Sequence, residues 1–227
     1  MASFDRVSVR LPGEGLYFAA ISDLCVCSRP GGDVLYVGTF EGGGVSAFAL
    51  GSGPAQLIGQ AAWSGMLGSL AGLDLCLFDA GSGSALLAAG LSDSPLGAMR
   101  LASDGAPGPA YSFASGGLPA RDLVAADTVD VGGQAFLAGS RDGSGGLSLS
   151  RLGAAAAVET AAGQPDGPRL TALSAAEVAG TDFVVAASAH DNALVTYRIG
   201  ADGTAVEAAR VDALDGLGFD TPGTVAT

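Results

Sequence analysis

The sequence predicts an all-β fold, a β-propeller of four-stranded antiparallel blades, and three observations predict it. An apolar run, an acid-bearing polar turn and an alternating apolar-polar run recur as a set roughly every 50 residues, which marks a repeat protein. Glycine-bearing turns link the short runs into hairpins. With 37 glycines among 227 residues, 48% hydrophobic residues and few aromatics, the chain suits many short strands and tight turns better than long helices.

The repeat is stated most fully by residues 183–208, FVVAASAHDNALVTYRIGADGTAVEA. There an apolar run from Phe183 to Ala187 meets the turn Ser188-Ala189-His190-Asp191-Asn192. Leu194 to Ile199 then alternates as a strand with one buried face, and a Gly-Ala-Asp-Gly turn leads to a last strand. The matching second strands are Val34 to Gly38, Ala85 to Ala89, Ala135 to Gly139 and Phe183 to Ala187. Third strands follow at Val45 to Leu50, Leu96 to Leu101, Leu147 to Leu152 and Leu194 to Ile199. First strands precede at Asp23 to Cys27, Asp74 to Phe78, Asp122 to Ala126 and Ala172 to Ala176, through the turns RPGGD, DAGSGS, VGGQ and AGTD. Poorer fourth strands close each unit at Gln56 to Trp63, Ala110 to Ala114, Ala156 to Ala161 and Val206 to Ala213. Four strands per unit at this period is the pattern of a propeller blade.

Blades are therefore expected at 16–67, 68–117, 118–168 and 169–216. Phe4 to Val9 matches Ala208 to Ala213 as an outermost strand, so 1–15 reads as a closing strand and linker. Residues 217–227 read as a linker toward a further blade, which leads to the expectation of a longer gene product. An open arc of blades exposes two blade faces and is expected to self-associate.

A formal charge of −13 argues against nucleic acid, because phosphate backbones call for Lys and Arg clusters. All ten basic residues are Arg, which excludes a Schiff-base lysine and the phosphate-cradling lysine of a P-loop. Arg without Lys, with Ala and Gly in excess, also fits a GC-rich genome. Three cysteines, Cys25, Cys27 and Cys76, are too few for a disulfide framework or a four-ligand zinc site. Small buried apolar roles are expected for them, with a bridge between Cys25 and Cys76 on neighbouring inner strands as the alternative. No cleavable signal pattern and no membrane-length apolar run is visible.

In a propeller, the turns between second and third strands and the linkers between blades meet at one mouth of the central channel. That rim gathers Glu41, Asp93, Asp142, His190 and Asp191 from the turns, with Arg121, Asp122, Asp166 and Arg169 from the linkers. Converging carboxylates could hold Ca²⁺ through oxygen ligands, while Asp, Asn and Gly are also what turns require. His190 is the single histidine, so a His-rich metal centre is excluded and at most one Ser-His-Asp arrangement is possible. No GxSxG elbow and no EF-hand spacing occurs. Trp63 and the scattered Phe residues are expected to pack between blades.

The phrases VVAASAHDNALVTYRIGADGTAVEAARV and VLYVGTFEGGGVSAFALGSGPAQLIGQ resemble the repeats of lactonase-like seven-bladed propellers. They are more similar still to propeller regions at the amino end of bacterial secreted calcium-binding proteins of the hemolysin (repeats-in-toxin) type. The first resemblance implies a truncated seven-bladed propeller; the family's catalytic His and Arg/Glu cluster has no clear match here. The second implies secretion through a carboxy-terminal signal, with a cytoplasmic location as the alternative. Its calcium-binding nonapeptide GGxGxDxUx is absent, so no residue is assigned to calcium on that ground. The expected role is a non-catalytic binding or scaffold module, without a cofactor unless Ca²⁺ binds at the rim, for a protein, glycan or small-molecule ligand. The competing expectation is a lactonase-like hydrolase of the 6-phosphogluconolactonase type, acting on a sugar lactone or ester.

Overall fold

Short β-formers punctuated by turns fold into strands throughout: a computed structural model of the chain holds only strands and turns among its described residues. Those residues are 21–39, 43–63, 73–79, 84–90, 96–112, 114–116, 123–141, 144–153, 156–161 and 167–212. Blade 1 comprises β1 (Ile21–Cys27), β2 (Val34–Thr39), β3 (Gly44–Ala49) and β4 (Gln56–Ala62), each antiparallel to the next. Blade 2 comprises β5 (Leu73–Asp79), β6 (Ser84–Gly90), β7 (Gly97–Leu101) and β8 (Pro107–Ser112) in the same order. A short strand β9 (Ala114–Gly116) follows. Blade 3 is β10 (Leu123–Val131), β11 (Gln134–Arg141), β12 (Ser144–Leu152) and β13 (Ala156–Ala161), with β9 added in parallel on its outer edge. Blade 4 is β14 (Ala172–Val178), β15 (Thr181–Ser188), β16 (Ala193–Ile199) and β17 (Ala205–Asp212). The first strands β1, β5, β10 and β14 pack beside one another in succession, as the inner strands of a propeller do.

Three apolar clusters fill the three junctions. Val34, Tyr36, Val45, Ala47 and Trp63 of blade 1 meet Leu75 and Met99 of blade 2, so Trp63 packs between blades as expected. Cys76, Phe78, Leu96 and Ala98 meet Ala135, Leu137 and Leu152 between blades 2 and 3. Phe136, Ala138, Leu147 and Leu149 meet Leu173, Val184, Ala186 and Val195 between blades 3 and 4. Burial of these faces is the main source of stability, at roughly 1.5–3 kcal/mol for each large apolar side chain fully removed from water.

Three sequence expectations need correction. The first strand of blade 3 does not end at Ala126 but runs to Val131, because Asp127 is satisfied inside the fold and so does not break the strand. The single outer strand expected at Ala110 to Ala114 is two: β8 stays in blade 2 while β9 crosses to blade 3. The second strand of blade 3 is also one residue out of phase with the alignment on Ala135. Val34 and Tyr36 face the following blade, and in blade 3 it is Phe136 and Ala138 that do so, while Ala135 and Leu137 face back. A one-residue slip reverses every side chain of a strand, and an all-apolar AFLAG run carries no alternation to set its phase. Register shifts at Leu123/Ala125 and Gly139/Arg141 lie at that end of the blade.

Turn chemistry locks blade to blade. In the turns after β7 and β16, Asp104 Oδ1 and Asp202 Oδ1 accept from the amides two residues on, Ala106 at 3.0 Å and Thr204 at 3.1 Å. The next residues, Gly105 and Gly203, have φ of +92° and +79°. Their carbonyls accept hydroxyl groups from the preceding blade, Tyr36 Oη at 2.9 Å and Thr160 Oγ1 at 3.0 Å. Asp-Gly in these turns thus serves both the hairpin and the junction.

Candidate functional site

Residues 167–171, which lead into β14, lie at the end of blades 3 and 4, beside the β15–β16 turn. Gly145 and Gly167 pack so closely that a Cβ on either would strike the other's backbone, and Gly146 N donates to Pro168 O at 2.8 Å. On the other side Thr171 N donates to Ala187 O at 2.7 Å, and Ala189 N donates to Thr171 Oγ1 at 3.3 Å. Arg169 is held exposed between these anchors.

The turn itself closes on Asp191. Ser188 Oγ donates to Asp191 Oδ2 at 2.6 Å, and the Arg169 amide donates to the same oxygen at 3.3 Å. Asp191 N returns a bond to Ser188 Oγ at 3.2 Å. His190 Nδ1 lies 3.3 Å from Asp191 Oδ1, with its side chain 68% exposed. The Ser188 hydroxyl, joined by His190 and the Arg169 amide, holds the Asp191 carboxyl below the ordinary value of 3.8. An ionised carboxylate on Nδ1 favours the tautomer that leaves Nε2 as an acceptor open to water. The arrangement offers a positioned base, a cation on the adjacent linker and free access for solvent.

Of the expected rim, the structure brings together Arg169, His190 and Asp191. Glu41, Asp93, Arg121, Asp122, Asp142 and Asp166 lie outside the described residues. Among the described residues no group of three or more His, Cys, Asp or Glu side chains could hold a metal ion. No helix among them is long and apolar enough to cross a membrane.

Sequence reading missed a second set of polar groups, on the inner strands. Asp23 Oδ2 accepts from the Leu75 amide of blade 2 at 2.7 Å, and Oδ1 accepts from Leu24 N at 2.8 Å. Asp127 Oδ2 accepts from the Ala175 amide of blade 4 at 2.8 Å, and Oδ1 from Thr128 N at 2.7 Å. Between them Thr128 Oγ1 donates to Leu77 O of blade 2 at 2.6 Å. Each pair of inner strands, which share no backbone ladder, is thus clasped by a side chain on a main-chain group. Burial raises both carboxyls above 3.8 despite these bonds, and the charge of Asp23 adds to the effect on Asp127. The signal available in the sequence was an Asp inside an apolar strand, a residue otherwise depleted there.

All three thiols are free. Burial, then the charges of Asp23 and Asp127, push the Cys25 thiol up to about 12, so it carries no thiolate for nucleophilic work near neutrality. Cys25 and Cys27 pack against the blade 1–blade 2 core, the apolar role expected of them.

No protein-family model and no curated protein matches the chain. Solved structures do. A candidate 6-phosphogluconolactonase from Bacteroides uniformis superposes with a TM-score of 0.57 at 13% identity, over 82% of this chain and 56% of its own. Another, from Bacteroides fragilis, gives 0.54 at 14% identity over 94% of this chain and 59% of its own. A GH43 β-xylosidase/α-arabinofuranosidase from a compost microbial metagenome gives 0.52 at 13% identity, over 81% and 72%. At such identities the likeness is one of fold: the chain has a lactonase-like β-propeller architecture. It spans somewhat more than half the length of the two lactonase-type chains.

Proposed function

We propose that this chain is the core of a propeller hydrolase acting on a sugar lactone or sugar ester. The observation that carries the reading is the His190–Asp191 pair in the turn between β15 and β16, 3.3 Å apart with the imidazole open to solvent. Opening a lactone requires a base to take a proton from the attacking water and donors near the developing oxyanion. His190 Nε2 would accept the water proton as the water oxygen bonds to the carbonyl carbon. It would return that proton to the ring oxygen as the acyl–oxygen bond breaks, leaving a hydroxy acid. Asp191 would orient the ring, and the exposed Arg169 side chain, on the adjacent linker, would add positive charge near an acidic product. Two of the similar folds are described as 6-phosphogluconolactonases and one as a β-xylosidase/α-arabinofuranosidase, which supports a hydrolase in preference to the calcium-type binding module.

The test is pH-stat hydrolysis of glucono-1,5-lactone, corrected for the spontaneous rate. Turnover by the folded chain is expected, with His190→Ala lowering kcat about a hundredfold. Asp191→Asn should lower kcat with little change in KM. No rate above the spontaneous one would overturn the reading. Heat of Ca²⁺ binding at millimolar concentration without turnover would favour the binding module.

A further inference from the structure

We infer that Ser188 is a positioning residue behind the His190–Asp191 pair, and that the site opens its substrate with water rather than through a bond to serine; the second half rests on the hydrolase reading above. Ser188, Asp191 and His190 come together in one turn, but in an order that a nucleophilic triad does not use. In such a triad the serine hydroxyl lies on the imidazole and the carboxylate on the ring's other nitrogen. Here the serine lies on the carboxylate instead. Ser188 Oγ donates to Asp191 Oδ2 at 2.6 Å, while His190 Nδ1 faces the opposite oxygen, Oδ1, at 3.3 Å. Ser188 is buried at 0% exposure whereas the His190 side chain is 68% exposed, so a substrate carbonyl meets the imidazole and not the hydroxyl.

The surroundings fix the hydroxyl in that role. Ser188 is the last residue of β15 and pairs with Ala193, the buried first residue of β16, so the ladder holds its backbone. The Asp191 amide donates back to Ser188 Oγ at 3.2 Å, which leaves the hydroxyl proton directed at Oδ2. Thr171 Oγ1 donates to Ala187 O at 3.2 Å and accepts from Ala189 N at 3.3 Å, pinning the residues on either side of Ser188 to the segment that leads into β14. A hydroxyl on a carboxylate at this distance is a charge-assisted bond, about twice as strong as a neutral one. It is also the largest of the causes that hold the Asp191 carboxyl below 3.8. With Oδ2 so engaged, Oδ1 is the oxygen left for the ring, and an ionised Oδ1 keeps a proton on Nδ1 and leaves Nε2 free to take one from water. The Ser188 hydroxyl therefore reaches His190 through Asp191.

The test starts from the single histidine, whose nitrogen chemical shifts report the tautomer of the neutral ring without overlap. Wild type should show chiefly Nδ1–H. Ser188→Ala, its fold checked by circular dichroism, should fall back toward the mixture of an unpartnered imidazole. In pH-stat hydrolysis of glucono-1,5-lactone, Ser188→Ala should lower kcat by roughly tenfold with KM unchanged. Added to Asp191→Asn it should lower kcat no further, because it acts through that carboxylate. The intact mass of wild-type protein, acid-quenched during turnover, should show no acyl adduct. An unchanged tautomer in folded Ser188→Ala, or a further loss in the double variant, would overturn the positioning role. So would a wild-type ring that is not Nδ1–H, whether or not the variant folds. An adduct on Ser188 would overturn the water route. If wild type shows no turnover, the hydrolase reading falls with the water route, and the tautomer measurements still decide the role of Ser188.

Discussion

Gly203 carries two constraints at once, and both come from its place rather than its chemistry. Its φ of +79° lies in the left-handed region, and an added Cβ would sit 2.8 Å from Phe136 Cε1 and equally close to Thr160 Cβ in the preceding blade. A flexible side-chain tip could yield; a packed aromatic ring and a strand residue cannot do so cheaply. Gly203→Ala should therefore cost about 1–3 kcal/mol, read by urea unfolding. Gly105→Ala, where the added carbon would meet Val34 Cγ2 at 3.0 Å, should behave likewise. A variant as stable as wild type would remove these turns from the account of how blades lock. The hairpin half of this role is readable from Asp-Gly alone; the junction half is not, since Tyr36 and Thr160 stand 69 and 43 residues away.

Among elements, the β14–β15 hairpin shows local chemistry working against itself. Its two-residue turn needs positive φ at both central positions, and they are filled by Ala179 at +51° and Gly180 at +75°. The equivalent β10–β11 turn uses Gly132 and Gly133, at +62° and +84°. An L-residue with a Cβ pays roughly 1–2 kcal/mol for that region. Ala179→Gly is therefore expected to stabilise blade 4 by about 0.5–1 kcal/mol once the added freedom of the unfolded chain is counted, seen as a higher Tm. An unchanged or lower Tm would mean the turn is not strained. Strand order and hairpin positions were legible because turn residues and alternation are local signals. The phase of Ala135 to Gly139 was not, because apolar residues on both faces look alike until a neighbouring blade selects one.

For the whole molecule, the clasps at Asp23 and Asp127 tie the blades together near the axis and tie stability to pH. Both carboxyls are raised above 3.8 in the folded state, so each binds its proton more tightly folded than unfolded. Their contribution to stability is complete below the unfolded value and is lost as pH rises through the folded one. Asp191, held low, has the opposite sign: its contribution is present above 3.8 and is lost as pH falls through its folded value. An Asp23→Asn/Asp127→Asn variant isolates the clasps from that opposing term. The margin of wild type over this variant, from urea unfolding, should shrink as pH rises from about 4 to about 7. A margin that is constant or grows with pH would show that burial does not dominate at these carboxyls.

By itself the sequence determined the repeat, the four-stranded unit, the hairpins and the placement of His190 and Asp191 in one turn. All of these follow from spacing along the chain and from the backbone demands of particular residues. Only the tertiary structure decided which face of each strand meets which blade, that β9 crosses to blade 3, and that Arg169 closes on Asp191. It alone revealed Asp23 and Asp127 as clasps between inner strands. Those outcomes depend on partners roughly 20 to 50 residues apart, and stacking of successive sheets, not local preference, brings such partners together.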